Sequence, residues 1–230
     1  MPDPLTRFRW LEGDCPLDEI FCVSFFHGLE PAGVLSRLGV DPRWTRRMSF
    51  EEFGDFFVHV DENVAGTADG SGCFGALKAG DWSAVVEPMG WKGASLDAPG
   101  LSRDTTHLAV LRHDYAEHDF VYAVDGSVLT RFDPRMPDMR HGEEPDVLNS
   151  RMRAAGLNPR ADDEEDWPDE PVASSFALMA DVTGVPFTPG LLEQPLLAGC
   201  VAGERAFAGW GAAARAEPSA GQGARGPAGA

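Results

Sequence analysis

Lysine is the scarcest charged residue of this sequence, because Lys78 and Lys92 are the only two among 230 residues. In total, 19 lysines and arginines stand against 37 aspartates and glutamates, which gives a formal net charge of -18 at pH 7. A surface this acidic repels phosphate backbones and anionic lipids. We therefore expect a protein partner, with basic proteins the easiest to attract, and no binding to nucleic acid or to a membrane.

Two further absences bear on location and cofactors. The sequence has no run of about 18 apolar residues, the length needed to span a bilayer as a helix. Residues 1–10 contain neither the apolar stretch nor the cleavage site of a secretory signal, so we expect a cytoplasmic protein. The four cysteines form no C-x-x-C pair and lie in apolar surroundings, which favours buried thiols over a metal site, and no cofactor is expected.

The chain is long and apolar enough for one folded domain. Its 43% hydrophobic content is typical of globular proteins, and we place a single domain at residues 8–203. Residues 162–166 are all acidic and repel one another, so a mobile acidic loop is predicted at residues 159–171. Residues 204–230 consist mostly of alanine, glycine, proline and arginine, which predicts a low-complexity, disordered tail.

Residues 72–133 alternate apolar runs with turn signals, as antiparallel strands do. Gly80-Asp81 and Asp125-Gly126 each separate two apolar runs, and both dipeptides accept the positive φ angles of tight hairpin turns. About five strands are predicted here, with one face more apolar than the other, as expected when helices cover one side only. The predicted fold is α+β, with this central antiparallel sheet flanked by N-terminal and C-terminal helices.

The flanking segments carry the periodicity and the end signals of helices. Gly28 ends the first predicted helix, Ser49 and Glu52 have the spacing of a capping box, and Pro195 kinks or ends the last helix. Besides the short helix that follows Ser49, helices are predicted over residues 17–29, 31–39, 146–156, 171–184 and 188–200.

Several segments, taken in chain order, resemble a known family. They are CVSFFHGLEP with the following RLGVDP, the strand WSAVVEPMGWKG, the hairpin FVYAVDGSVLTRFDP, the helix PDVLNSRMRAAGL and the ending LMADVTGVPFTPGLLEQPL. In this order they are similar to an uncharacterised actinobacterial group, the domain of unknown function family 6461. The resemblance covers residues 8–200 and implies domain limits. It implies no activity.

The densest group of titratable residues is a candidate metal site. The dipeptides His113-Asp114 and His118-Asp119 resemble those of metal-dependent phosphohydrolases, whose histidine and aspartate side chains converge on a metal. That chemistry needs the dipeptide on a helix, whereas these two lie at a connection between predicted strands. An acidic turn rich in histidine is the simpler interpretation, and a metal site formed by these four residues is the alternative.

The end of the second predicted strand, residues 87–91, is the candidate binding site. Its proline blocks continued strand pairing, its glycine permits an unusual turn, and Trp91 can lie at a surface. One interpretation is a pocket formed by Trp82, Glu87 and Trp91, with Arg131 or Arg112 as the partner that a buried Glu87 needs. The other interpretation is that the segment only terminates the strand.

Three functional hypotheses follow. The first is an acidic binding or interaction module that recognises a protein partner, as a regulatory or immunity-type protein does. The second is a metal-dependent hydrolase that uses the His/Asp cluster, and the third is a passive structural accessory domain. The sequence contains no G-x-S-x-G motif and no Walker-type phosphate loop, so we favour a protein without catalytic activity and leave the enzyme question open.

Overall fold

The computed structural model describes residues 3–13, 15–64, 72–113, 117–160 and 167–210. The strands are β1 (Phe21–His27), β2 (Thr45–Met48), β3 (Cys73–Ala79), β4 (Trp82–Pro88), β5 (Thr106–Arg112), β6 (Asp119–Val124), β7 (Ser127–Phe132) and β8 (Leu196–Cys200). The α-helices are α1 (Pro31–Arg37), α2 (Phe50–Asn63), α3 (Ala98–Leu101), α4 (Asn149–Ala154), α5 (Pro171–Thr183), α6 (Pro189–Leu192) and α7 (Glu204–Phe207).

Within these residues the strands form one antiparallel sheet, in the order β2-β8-β3-β4-β1-β5-β6-β7. The prediction of a mixed α and β fold around a central antiparallel sheet is confirmed. The predicted number of about five strands is wrong, because β1, β2 and β8 join the five strands β3 to β7. The order is also not that of a simple meander, since β1 lies between β4 and β5.

The first predicted helix is in fact the central strand β1. All six residues from Phe21 to Phe26 are buried, because β1 has a strand on each edge and packed side chains on both faces. A strand buried on both faces is a continuous apolar run, and periodicity alone does not distinguish such a run from a buried helix. The prediction of a helix over residues 17–29 is therefore wrong.

The last predicted helix is divided by Pro195. The four-residue helix α6 precedes the proline, and β8 follows it directly. Pro195 was expected to kink or end the helix, and the chain does leave the helical conformation there, but residues 196–200 form a strand. The segment after residue 203, predicted as a tail, begins with α7, and Phe207 stacks on Phe56 of α2 with ring centroids 4.7 Å apart.

Several local predictions are confirmed. The capping box is formed, since the Ser49 hydroxyl accepts the backbone N–H of Glu52 at 3.1 Å and the Glu52 carboxylate accepts the backbone N–H of Ser49 at 2.7 Å. Asp125 and Gly126 have φ angles of 45° and 86°, as a two-residue hairpin turn requires. Residues 161–166 of the acidic loop predicted at 159–171 lie outside the described residues, as do residues 211–230 of the predicted tail.

Both faces of the sheet are covered, which corrects the expectation of cover on one side only. Helices α2 and α5 pack on one face, over a large core that includes Phe25, Phe56 and Phe176. Helix α1 covers part of the other face, and residues 91–102 cover the rest. None of the helices in the described ranges is long and apolar enough to cross a membrane.

Candidate functional site

One end of the sheet carries a row of side chains, two of them carboxylates, on the face opposite α2 and α5. Antiparallel pairing places Glu87 of β4 beside Cys22 of β1, Cys22 beside Leu111 of β5, and Leu111 beside Asp119 of β6. Directly paired residues point to the same face of a sheet, so these four side chains line up across the end of four strands. The sheet register thereby brings two buried carboxylates to one place.

A segment that we call the return loop, residues 89–97, folds back over this row. Met89 adopts a positive φ of 46°, and a short 3-10 helix at Lys92–Ala94 then lies against β1 and β5. Gly93 approaches β1 so closely that an added Cβ atom would lie 2.1 Å from Ser24 Oγ and 2.9 Å from Cys22 Sγ. The loop is therefore held tightly against the sheet.

We expect Gly93→Ala to lower the free energy of unfolding by about 1–3 kcal/mol, because a methyl group forced into a filled space displaces its neighbours. Gly33→Ala is the matched control, because nothing lies within 4 Å of the Cβ atom it would add. Alanine is the better helix former, so this control should leave stability unchanged or raise it by up to about 1 kcal/mol. Urea unfolding measures both, and equal effects of the two changes would contradict the close packing of the loop.

The Glu87 side chain holds the return loop by accepting hydrogen bonds from the backbone of the loop. Its side chain accepts the N–H of Lys92 at Oε1 (3.1 Å) and the N–H of Gly93 at Oε2 (3.3 Å), and the residue is only 2% exposed. Burial raises the pKa of Glu87 to about 7, although the two N–H donors and the Lys92 charge oppose that rise. The expected arginine partner of Glu87 is replaced by these two backbone donors.

Asp119 and Arg131 form an ion pair beside the row. Arg131 Nη2 donates to Asp119 Oδ2, and the two side chains are 20% and 13% exposed respectively. Burial raises the pKa of Asp119 to about 6, while the arginine acts to lower it. Arg131 is also fixed through its backbone, which pairs with that of His141.

A cleft of about 770 Å³ opens between the return loop and the ends of β5 and β7. The side chains that line it include an aromatic ring, aliphatic groups and charges of both signs: Glu87, Trp91, Lys92, Leu96, Asp97, Leu111, His113, Glu117, Arg131 and Val201. Its size is that of a site for a small molecule or for a few side chains of another protein. The cleft is our candidate functional site.

The family model for a family of unknown function, DUF6461, matches residues 5–204. The chain belongs to this family. The match extends beyond the range expected from the resemblance at both ends, and the cleft, the return loop and the ion pair all lie within it. Searches of the curated proteins and of the solved structures give no match for this DUF6461 chain.

Three of the four residues predicted as a binding site meet at the cleft of this DUF6461 protein. Glu87, Trp91 and Arg131 line it, although they come from β4, the return loop and β7. Trp82 lies elsewhere, at the start of β4 and five residues from Glu87, on the face that packs against α2 and α5. Its ring contacts those of Phe25 and His27, at centroid distances of 6.5 and 4.9 Å.

The structure describes three of the four predicted metal ligands, His113, His118 and Asp119. His118 Nδ1 accepts the backbone N–H of His113 at 3.2 Å, and burial lowers the pKa of His118 to about 4. Asp119 points to Arg131 instead, and Asp114 lies outside the described residues. In the part of the chain that the structure describes, no three His, Cys, Asp or Glu residues are placed to hold a metal ion. Metal binding by His113, Asp114, His118 and Asp119 of this DUF6461 protein stays a prediction.

Sequence reasoning missed two features of this end of the sheet. The first is the Asp119–Arg131 pair, whose members were assigned to two different hypotheses. The second is the pair Cys73 and Cys200, which the sheet places directly opposite each other. In both cases the residues are far apart along the chain or separated by a turn, and only the strand register brings them together.

Proposed function

We propose that this protein is a non-catalytic binding module, and that its cleft receives a basic, partly apolar segment of a partner protein. The observation that carries the proposal is a gathering of exposed apolar side chains at the cleft. Trp91 and Leu96 of the return loop line the cleft and are 36% and 90% exposed, and Val201 on the cleft wall is 40% exposed. Exposed apolar groups beside a cleft are typical of interaction sites.

The charge of the site supports a basic segment. Asp97 and Glu117 line the cleft against the single positive charge of Lys92, and the charge of Arg131 is already neutralised by Asp119. The net charge of -18 on the whole chain adds a long-range attraction for basic groups. The Trp91 ring supplies a further site for a lysine or arginine side chain, through a cation–π contact.

Regulatory and immunity-type proteins bind a partner protein without catalysing a reaction on it. We include such a role in the proposal. It also includes a cytoplasmic location, for which the support is that Cys15, Cys22, Cys73 and Cys200 are all thiols. Thiols persist in reducing compartments, whereas extracellular domains usually convert them to disulfides.

The proposal is tested with a displayed library of short random peptides, selected on the immobilised full-length protein. We expect the enriched peptides to combine lysine or arginine with an apolar residue, and their binding to weaken as salt is raised. Trp91→Ala should reduce the affinity of these peptides about 10-fold or more, because exposed tryptophans at interfaces often contribute most of the binding energy.

Trp167→Ala is the matched control, because Trp167 is 38% exposed and does not line the cleft. It should leave peptide binding unchanged. Enriched peptides that lack basic residues, or that bind the Trp91→Ala protein as well as the wild type, would count against the cleft as a site for basic segments.

A further inference from the structure

Cys73 and Cys200 face each other across two neighbouring strands. Cys73 is the first residue of β3 and Cys200 the last of β8, and the two are direct partners in the antiparallel register. The backbone N–H of Val201 donates to the carbonyl oxygen of Gly72 at 3.0 Å, so this bond brackets the cysteine pair from outside. The cysteines therefore occupy a non-hydrogen-bonded position of the ladder.

This position suits a disulfide. Opposite residues at non-hydrogen-bonded positions have Cα atoms about 4.5 Å apart, with their side chains close together. A disulfide needs Cα atoms roughly 4.4–6.8 Å apart, so the backbone geometry is already compatible with a bond between the two sulfur atoms. Both residues are buried thiols whose side chains hydrogen-bond to each other.

The other two cysteines are not placed in this way. Cys22 is paired in register with Glu87 and Leu111, and Cys15 lies before β1, where the Arg112 guanidinium approaches its sulfur at 3.9 Å. Among the four cysteines, Cys73 and Cys200 alone are cross-strand partners. An intramolecular disulfide without movement of the backbone is thus specific to this pair.

The surroundings of the two sulfur atoms differ, and the difference assigns their roles. The backbone N–H of Ala202 donates to Cys200 Sγ at 3.5 Å. The hydrogen bond from Cys73, this N–H and the charge of Arg205 lower the pKa of Cys200, although burial opposes them. The same thiol–thiol hydrogen bond, together with burial, raises the pKa of Cys73. With a backbone N–H donor at its sulfur, Cys200 is therefore the more acidic thiol of the pair and the nucleophile.

We propose that Cys73 and Cys200 are a redox modification site, a cross-strand dithiol that a peroxide oxidises to a disulfide. The Cys200 thiolate attacks one oxygen of hydrogen peroxide; an S–O bond forms, the O–O bond breaks, and the departing hydroxide takes up a proton to leave as water. The sulfur of Cys73 then attacks the sulfenic acid of Cys200. The S–S bond forms, the S–O bond breaks, and the hydroxyl group leaves with the Cys73 proton as a second water.

Burial limits the rate of this reaction. Both sulfur atoms are inaccessible in the closed structure, so the peroxide reaches Cys200 when the end of β8 opens. Gly72 and Val201, the neighbours of the two cysteines in sequence, line the cleft. The pair thus lies at the border of the candidate site, although the redox proposal does not depend on what the cleft binds.

The test uses the full-length wild-type protein treated with hydrogen peroxide. The protein is then unfolded in urea so that N-ethylmaleimide blocks every remaining thiol, and the digested protein is mapped by mass spectrometry. We expect a monomeric product with a Cys73–Cys200 cross-linked peptide, the loss of two hydrogen atoms from the intact mass, and full reversal by dithiothreitol. Oxidation of Cys15 or Cys22 while Cys73 and Cys200 remain open to alkylation would overturn the proposal.

The order of the two steps is tested with single variants under the same peroxide treatment. In Cys73→Ser, a sulfenic acid should accumulate at Cys200, where dimedone traps it. In Cys200→Ser, Cys73 should remain a thiol at the same dose. The reverse pattern would reject Cys200 as the nucleophile, and the wild-type cross-link remains a valid test of the pair if either variant fails to fold.

Discussion

Arg131→Ala is expected to lower the free energy of unfolding by about 3 kcal/mol at neutral pH, the lower end of the usual result when one partner of a buried ion pair is removed, because the unpaired Asp119 can take up a proton. The change leaves Asp119 in place, with its side chain 13% exposed and its charge uncompensated. The penalty arises from the unpaired carboxylate and not from the loss of attraction alone. A double variant in which Asp119 and Arg131 are both replaced by apolar residues should therefore lose less stability than Arg131→Ala.

The loss in Arg131→Ala depends on pH in a definite direction. The pKa of Asp119 is already raised to about 6 by burial, and Arg131 acts against that rise. Removal of the arginine therefore moves the folded-state pKa further up. The two folded proteins differ in the protonation of Asp119 only above about pH 6, so the penalty should shrink as the pH falls from 7 to about 6 and stay constant below that pH.

Arg151→Ala provides the control, because the Arg151–Asp181 pair lies at the surface with its side chains 47% and 51% exposed. Exposed pairs contribute about 0–1 kcal/mol, so this variant should be close to the wild type at every pH. Urea unfolding at pH 7 and near pH 4 compares the two. A loss in Arg131→Ala no greater than that in Arg151→Ala would show that the Asp119–Arg131 pair is solvated.

In the hairpin that carries this ion pair, the turn can be predicted from the sequence and the register of the two strands cannot. Asp125-Gly126 correctly predicts the turn between β6 and β7, and a regular ladder counted from that turn would place Arg131 opposite Phe120. The observed register shifts by one residue at Tyr122 and Ala123, so that Arg131 lies opposite Val121. A shift of one residue moves a side chain to the other face of the sheet.

This one-residue shift is a β-bulge, and it determines which side chains of β6 and β7 lie on the same face of the sheet. With it, Phe132 lies opposite Phe120, and their rings stack in the core at a centroid distance of 5.0 Å. Arg131 then points to the face that carries Asp119. The turn chemistry is local and readable, whereas the bulge is fixed by how two phenylalanines pack against distant helices. The sequence alone contains no local signal for that choice.

The misassigned β1 has a related cause. Its run of buried residues fits a helix as well as a strand when only neighbours along the chain are considered. The choice depends on β4 and β5, which provide the partners for its backbone from about 60 and 85 residues away. The capping box and α5 are predicted correctly because the residues that determine them are neighbours along the chain.

The sequence predicts that Glu87 is a buried carboxylate in need of a partner, and the environment of Glu87 gives the second large effect on stability. Burial raises its pKa from 4.5 to about 7. An acid whose folded-state pKa is raised stabilises the fold while it is protonated, so its contribution is complete below pH 4.5 and is lost as the pH rises through about 7. The wild type should thereby lose about 3 kcal/mol relative to a variant that cannot ionise at this position.

Glu87→Gln is that variant, and the quantity to measure is its difference from the wild type in free energy of unfolding at each pH from 4 to 8. The difference is needed because other groups also titrate: burial lowers the pKa of His107 to about 3 and raises that of Asp119 to about 6. At low pH the two proteins should be similarly stable, because protonated Glu87 and the glutamine amide each offer one carbonyl oxygen as a strong acceptor for the two N–H groups.

As the pH rises the difference should change in favour of the variant, by about 1.4 kcal/mol for each pH unit between the two pKa values. Glu117→Gln is the control from the same cleft, because Glu117 is exposed, and its difference from the wild type should stay within about 0.5 kcal/mol. A flat difference curve for Glu87→Gln would mean that the Lys92 and Gly93 donors outweigh burial. Glu87 would then be an ordinary charged cap of the return loop, and the cleft would contain a permanent negative charge at neutral pH.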